Sequence, residues 1–310
     1  MYTKEINSFI DIITIGNLKS VDLRKSRDAI KGLIIGKFYK DYKIDFKGQG
    51  SYDMSTLINP IRGKKYDLDM GVYITIDNSN PYDFYSPQTV KNKLKEVVDE
   101  HTGPKTKIKK SCVRVDYSSK DYYIDLPVYL KIGNVNYLAR GNDEWMESYP
   151  SENTDWFREQ VKEKGEELRR IIKLFKAWKD KQSIKFSGLA ITILCSQLYV
   201  NQGDIFSSFQ YVATRLFDTL NFNFICRKPY KPYNDVIEEL TSNQRDVFSS
   251  RLQSLILKLS KIEETESVDI VNSKFQSLFG DRFPKVNKLD SSKIITNPKR
   301  AIVKNKNETA

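Results

Sequence analysis

Asp67 and Asp69 stand one residue apart inside YDLDMGVYITID, a run otherwise rich in β-formers. Such a run predicts a strand of about nine residues. A strand repeats every two residues, so both carboxylates leave the same face. Two acids side by side repel each other. A fold that keeps them together needs something positive between them, and a divalent cation takes oxygen donors of this kind. A third carboxylate from a neighbouring strand would complete a site for two cations, which clamps the attacking and leaving oxygens of an in-line phosphoryl displacement. Asp125, in YYIDLPVY, is the first choice, and Asp116, in VRVDY, is its rival. Taken alone, a D-x-D pair reads as easily as a solvated strand face.

A second motif lies upstream. In KGQGSYDMST, Ser51 precedes Asp67 by sixteen residues. Gly48 and Gly50 allow a tight turn whose backbone N–H groups can face an anion. Ser51 adds a hydroxyl where a helix is expected to begin, a place that favours phosphate. The spacing is not that of a Walker loop, G-x-x-x-x-G-K-[ST].

Composition narrows the chemistry. The 310 residues include a single histidine, His101, and three scattered cysteines, Cys112, Cys195 and Cys226. Zinc enzymes and histidine-based triads are disfavoured, and a reducing compartment fits. Catalysis is left to carboxylates and a metal they hold. The net charge of +11 suggests an anionic partner, but residues 291–310 hold five Lys/Arg against one Glu and supply +4 of it. The remainder is too mildly basic for a broad nucleic-acid footprint. No apolar run nears the roughly 20 residues of a membrane span, and no signal peptide is read.

Along the chain, helices mix with at least four strands up to about residue 140, after which the pattern is helical. Residues 20–40 predict a helix capped by Ser20 or Asp22. SPQTVKNKLKEVVDEHTG predicts another, with Ser86 as cap, Pro87 in the first turn and Gly103 at its end. In LRRIIKLFKAWKD, Leu168, Ile171, Ile172, Phe175 and Trp178 form an apolar stripe. Arg169, Lys173 and Lys176 form a basic one at i, i+4 and i+7. Phe248, Leu252, Leu255, Leu259 and Ile262 keep the same spacing in a later helix. The expected division is a core over 1–155, a helical domain over 156–289 and a flexible basic tail over 290–310.

The order of GS, hydrophobic-D-x-D and a third strand Asp resembles that of the polymerase-β-like nucleotidyltransferases. QGSYDMSTLINPIRGKKYDLDMGVYI, YIDLPVY, LRRIIKLFKAWKD, SGLAITIL and FGDRFP together resemble the cGAS/DncV-like nucleotidyltransferases (CD-NTases) of bacterial CBASS anti-phage signalling. D-x-D-x-G-V-Y, K-A-W-K followed by S-G-L, and F-G-x-x-F-P point to the DncV-like branch. The resemblance implies an α+β fold: a polymerase-β-like core sheet joined to an all-helical domain, with the active site in the cleft between them. It implies that Asp67, Asp69 and Asp125 hold two Mg²⁺, or Mn²⁺. Gln49, Gly50 and Ser51 would hold the donor triphosphate, with Lys176 and Ser187 reaching it and Lys173 as the fallback lysine. The implied activity is a bacterial, cytoplasmic synthase joining ATP and/or GTP into a cyclic dinucleotide of the cGAMP type, read by a downstream effector. A linear oligonucleotide or RNA-tailing enzyme and a non-catalytic nucleotide-binding scaffold are the alternatives. An E1/E2-like partner conjugating Ala310 is a further implication. Zinc, a membrane and nucleic-acid activation are not expected, since the His/Cys cluster of animal cGAS is missing.

Overall fold

The computed structural model describes residues 1–61, 64–77, 80–100 and 104–288. His101, Gly103, the 290–310 tail and Ala310 lie outside them. The chain opens with helices α1 (Thr3–Ile13) and α2 (Asn17–Lys37), strand β1 (Lys43–Gln49) and the single turn α3 (Gly50–Asp53). Then come β2 (Tyr66–Thr75), α4 (Pro87–Asp99), β3 (Pro104–Ile108), β4 (Val113–Tyr117), β5 (Tyr122–Leu126) and β6 (Val128–Ile132). The sheet closes with β7 (Val135–Arg140) and β8 (Glu144–Glu147). Six helices follow: α5 (Pro150–Lys164), α6 (Glu167–Lys181), α7 (Gly188–Leu198), α8 (Ile205–Phe222), α9 (Ser242–Glu264) and α10 (Val268–Phe279). None of the described helices is long and apolar enough to cross a membrane.

The sheet is built around β2. Antiparallel β1 covers residues 69–75 of it, while β5 and β6 run parallel to its two halves. β5 and β6 are one extended run interrupted at Pro127, which lacks an N–H but still accepts from Val72 N at 2.9 Å. β4 and β3 continue the sheet beyond β5, and β7 and β8 continue it beyond β6.

Alternation along β2 sorts the two faces. Tyr66, Leu68, Met70, Val72 and Ile74 join one core with Leu23, Ile30 and Ile34 of α2 and Val90, Leu94 and Val98 of α4. Asp67 and Asp69 take the opposite face. The basic stretch of α2 therefore packs through a narrow apolar stripe. Its cap is Gly16, not Ser20 or Asp22: Ser20 meets the Tyr52 hydroxyl at 3.0 Å, and Asp22 accepts from Lys120. For α4, Ser86 does accept from Thr89 N, with Pro87 in the first turn.

A second core fills the helical half. The α6 stripe of Leu168, Ile171, Ile172, Phe175 and Trp178 is buried throughout, as is the α9 series from Phe248 to Ile262. Phe186 stacks on Phe248 at 3.9 Å, with Trp178 edge-on at 6.0 Å. Helix α1, which hydrophobic patterning had not singled out, belongs to this core through Ile6, Phe9, Ile10 and Ile13. Gly280 ends α10 at φ 79°, the positive φ that favours glycine at a helix end.

Candidate active site

The register of the sheet assembles the acids. Asp69 lies opposite Asp125 across the β2–β5 pair, and Gln49 lies opposite Asp69 across the β1–β2 pair. Oxygens of Asp67, Asp69 and Asp125 all come within 4.8 Å of one another. Asp116 is not part of this group; it faces Lys65, whose ammonium reaches it at 2.7 Å.

Glycine makes the approach possible. Gly50 has φ +72°, and a Cβ there would collide with the Asp69 carboxylate. At Gly71 a Cβ would meet the Tyr73 ring at 2.7 Å and Gln49 Oε1 at 2.9 Å. The glycine of the D-x-D-x-G pattern thus leaves room for Gln49, whose amide is tied to the Tyr129 hydroxyl at 3.2 Å.

Asp67 and Asp69 open on a cavity of about 400 Å³, also lined by Gly50, Ser51, Lys176, Lys179 and Gly188. Helix α6 forms its far wall by gripping the segment after α3. Arg169 donates to Met54 O at 3.1 Å, Lys176 to Thr56 O and Oγ1 at 3.2 and 2.8 Å, and Asp180 accepts from Ile61 N at 2.7 Å. Arg282, from the FGDRFP motif, holds Asn59 O and Pro60 O at 2.6 and 3.1 Å. Lys173 points elsewhere, to Thr14 Oγ1 at 3.1 Å. Ser187 caps α7 by accepting from Ala190 N, and it lines a neighbouring cavity of about 500 Å³ with Phe186, Arg140 and Lys228.

Burial sets the electrostatics. The Asp69 carboxyl is pushed up to about 8 by burial and then by the charges of Asp67 and Asp125. Asp67 is raised by burial and by Asp125. On the cationic side, burial and then the neighbouring Lys179 bring Lys176 down to about 7. Lys179 is lowered by burial as well. Acids raised by burial beside lysines lowered by it are poised for a ligand that brings both cations and anions. Three convergent carboxylates are a hard, all-oxygen donor set, which fits Mg²⁺ or Mn²⁺. The described site residues offer no nitrogen or sulfur ligand set for zinc.

Sequence reasoning missed Arg114, which forks onto Asp125, and Lys179 and Lys65, which line the cavity. Arg114 and Asp116 share one face of β4, and it is the pairing of β4 with β5 that sets Arg114 opposite Asp125.

Residues 44–129 match the family described as cyclic GMP-AMP synthase DncV-like, nucleotidyltransferase domain. The chain is 25% identical over 296 residues to the cyclic GMP-AMP synthase of Vibrio cholerae serotype O1, covering 76% of this chain and 67% of that one. It is 22% identical over 216 residues to the c-di-GMP synthase of Roseivirga ehrenbergii, covering 58% of this chain and 55% of the relative. Among solved structures, E. coli MS115-1 CdnC with ATP superposes at a TM-score of 0.71 and 16% identity, covering 91% of this chain and 98% of that one.

Proposed function

The chain is a nucleotidyltransferase of the DncV-like type, and from that premise we propose that it joins two nucleoside triphosphates into a cyclic dinucleotide, releasing pyrophosphate at each step. The observation that carries this reading is the convergence of Asp67, Asp69 and Asp125 on one another beside a cavity that Asp67 and Asp69 line together with Lys176 and Ser51. Asp67, Asp69 and Asp125 would hold the divalent cations. When bound, these supply charge neutralisation for the attacking hydroxyl and the departing pyrophosphate. The Ser51 hydroxyl and the Gly50 backbone line the side of the cavity where the triphosphate is placed. Lys176 faces it from α6 and can exchange Thr56 for a phosphate oxygen at little cost.

A ribose hydroxyl then attacks the α-phosphorus; the new P–O bond forms as the bond to pyrophosphate breaks, and a second round closes the ring. The cavity beyond Ser187 is where we place the second nucleotide, beside the half-buried Lys228 and the ring of Phe186. Ser187 supports this reading as a bridge between the two cavities, since Gly188 and Leu189 line the first. A cGAMP-type product, magnesium as the working ion and a role in anti-phage defence complete the proposal.

The test is incubation of the purified protein with all four NTPs and Mg²⁺ or Mn²⁺, followed by phosphatase treatment and mass spectrometry. A phosphatase-resistant dinucleotide is expected, and its mass names the bases. Only linear products would make the enzyme a tailing or oligoadenylate-type polymerase. Asp67→Ala with Asp69→Ala is expected to abolish pyrophosphate release while circular dichroism stays unchanged; retained turnover would remove the metal assignment.

A further inference from the structure

Arg114 approaches Asp125 from β4, the strand on the far side of β5 from Asp69, and Asp125 is its own register partner. Its Nε and Nη2 donate to the two carboxylate oxygens at 2.7 and 2.6 Å, a side-on fork that uses both. Asp125 is only 6% exposed, while the Arg114 side chain is partly buried, so the carboxylate end of the pair is the shielded one. The guanidinium also lies over the Tyr123 ring, 4.3 Å from its centroid, a second contact that holds it in place. Such planar, bidentate pairing is rigid in a way that a lysine contact is not.

This fork sits on one of the three acids assigned above to the cations. A carboxylate has about four lone-pair sites, so Asp125 can be held by Arg114 and still present an oxygen toward Asp67 and Asp69. The fixed positive charge, however, opposes any further cation in the same low-dielectric corner. Resting on the reading of the three aspartates as metal ligands, we propose that Arg114 is a positioning residue with two effects. It keeps Asp125 aimed at Asp67 and Asp69 when no cation is present, and it lowers the site's affinity for a free divalent cation. The second effect separates it from an ordinary structural ion pair, whose loss would loosen the site and weaken metal binding.

The two effects come apart in three variants of the full chain. Binding of free Mn²⁺, without nucleotide, is followed by the electron paramagnetic resonance signal of the unbound ion. Arg114→Met removes charge and fork, and Arg114→Gln removes the charge while keeping an amide donor. Both are expected to bind Mn²⁺ about tenfold more tightly than the wild type. Arg114→Lys keeps the charge and loses the fork. It should bind Mn²⁺ within about threefold of the wild type but turn over about tenfold more slowly, because one ammonium cannot hold both oxygens in place. Unchanged or weaker Mn²⁺ binding in both folded uncharged variants, while Asp67→Asn loses the ion, overturns the proposal. Wild-type binding in Asp67→Asn, or no bound Mn²⁺ in any of the proteins, overturns the metal reading on which it rests.

Discussion

Gly50 controls how closely the loop after β1 approaches the acids. Its positive φ and the Asp69 carboxylate against its α-carbon leave no room for a side chain. Gly50→Ala is expected to cost about 1–2 kcal/mol of stability and to cut turnover by about a hundredfold through displaced carboxylates; thermal melts and initial rates check both. Asp69 gives a pH dependence. Its folded value of about 8 lies above the ordinary 3.8. The folded, cation-free chain therefore holds a proton that the unfolded chain releases, and this contribution to stability is full below about pH 4 and lost as the pH rises through 8. A bound cation takes the proton's place. Stabilisation by Mn²⁺ or Mg²⁺, read as a rise in melting temperature, should accordingly be small at pH 6 and grow up to about pH 9. At this scale the sequence was informative: a period of two shows that Asp67 and Asp69 share a face. It left open whether Asp125 or Asp116 joins them, because the answer depends on strand register across a sheet.

Helix α6 shows what an element-level pattern carries and what it omits. Its apolar stripe is legible from spacing, and so is the basic row of Arg169, Lys173 and Lys176. The row does not act as one cradle. Arg169 and Lys176 hold the 54–56 segment, Lys173 turns to Thr14, and only Lys176 of the two lysines lines the cavity. That division follows from the seating of residues 54–61 against the helix, a long-range contact that no local periodicity reports. Lys176→Met is expected to lower kcat/KM by about a hundredfold or more. Lys173→Met should stay within about threefold of the wild type, since its partner is a hydroxyl at the end of α1. Steady-state kinetics on the two variants separates them, and the reverse ranking would make Lys173 the phosphate ligand. Ser187 has the same ambiguity: a cap is predictable from sequence, whereas the cavity it borders is a product of the 226–240 loop folding back over α7.

The described residues form two large apolar cores, one on the sheet and one among the helices, and a small third cluster of Tyr73, Tyr129 and Leu138. The sheet core and the helical core were both foreseeable from the change in periodicity near residue 150. The place of α1 was not, because its short apolar face has no neighbour in sequence to mark which core it completes. Phe9 is fully buried and meets Phe279 and Phe283 at 4.9 and 5.1 Å. Phe9→Ala should therefore destabilise the helical half by about 3–5 kcal/mol, although it lies nearest in sequence to the sheet half. Chemical denaturation followed by tryptophan fluorescence reads this directly, with Trp156 and Trp178 reporting on the helical half. Since α1 and α5 to α10 form one body, the strands and their two helices are spliced into it, entering after residue 14 and leaving before residue 150. Between those two crossings the 54–61 segment is a third tie, held by Arg169, Lys176, Asp180 and Arg282, so the lobe cannot swing as one on a single tether can. Any opening of the cleft beside the aspartates would first have to release those bonds, as a door held by a latch between its hinges must be unlatched before it turns.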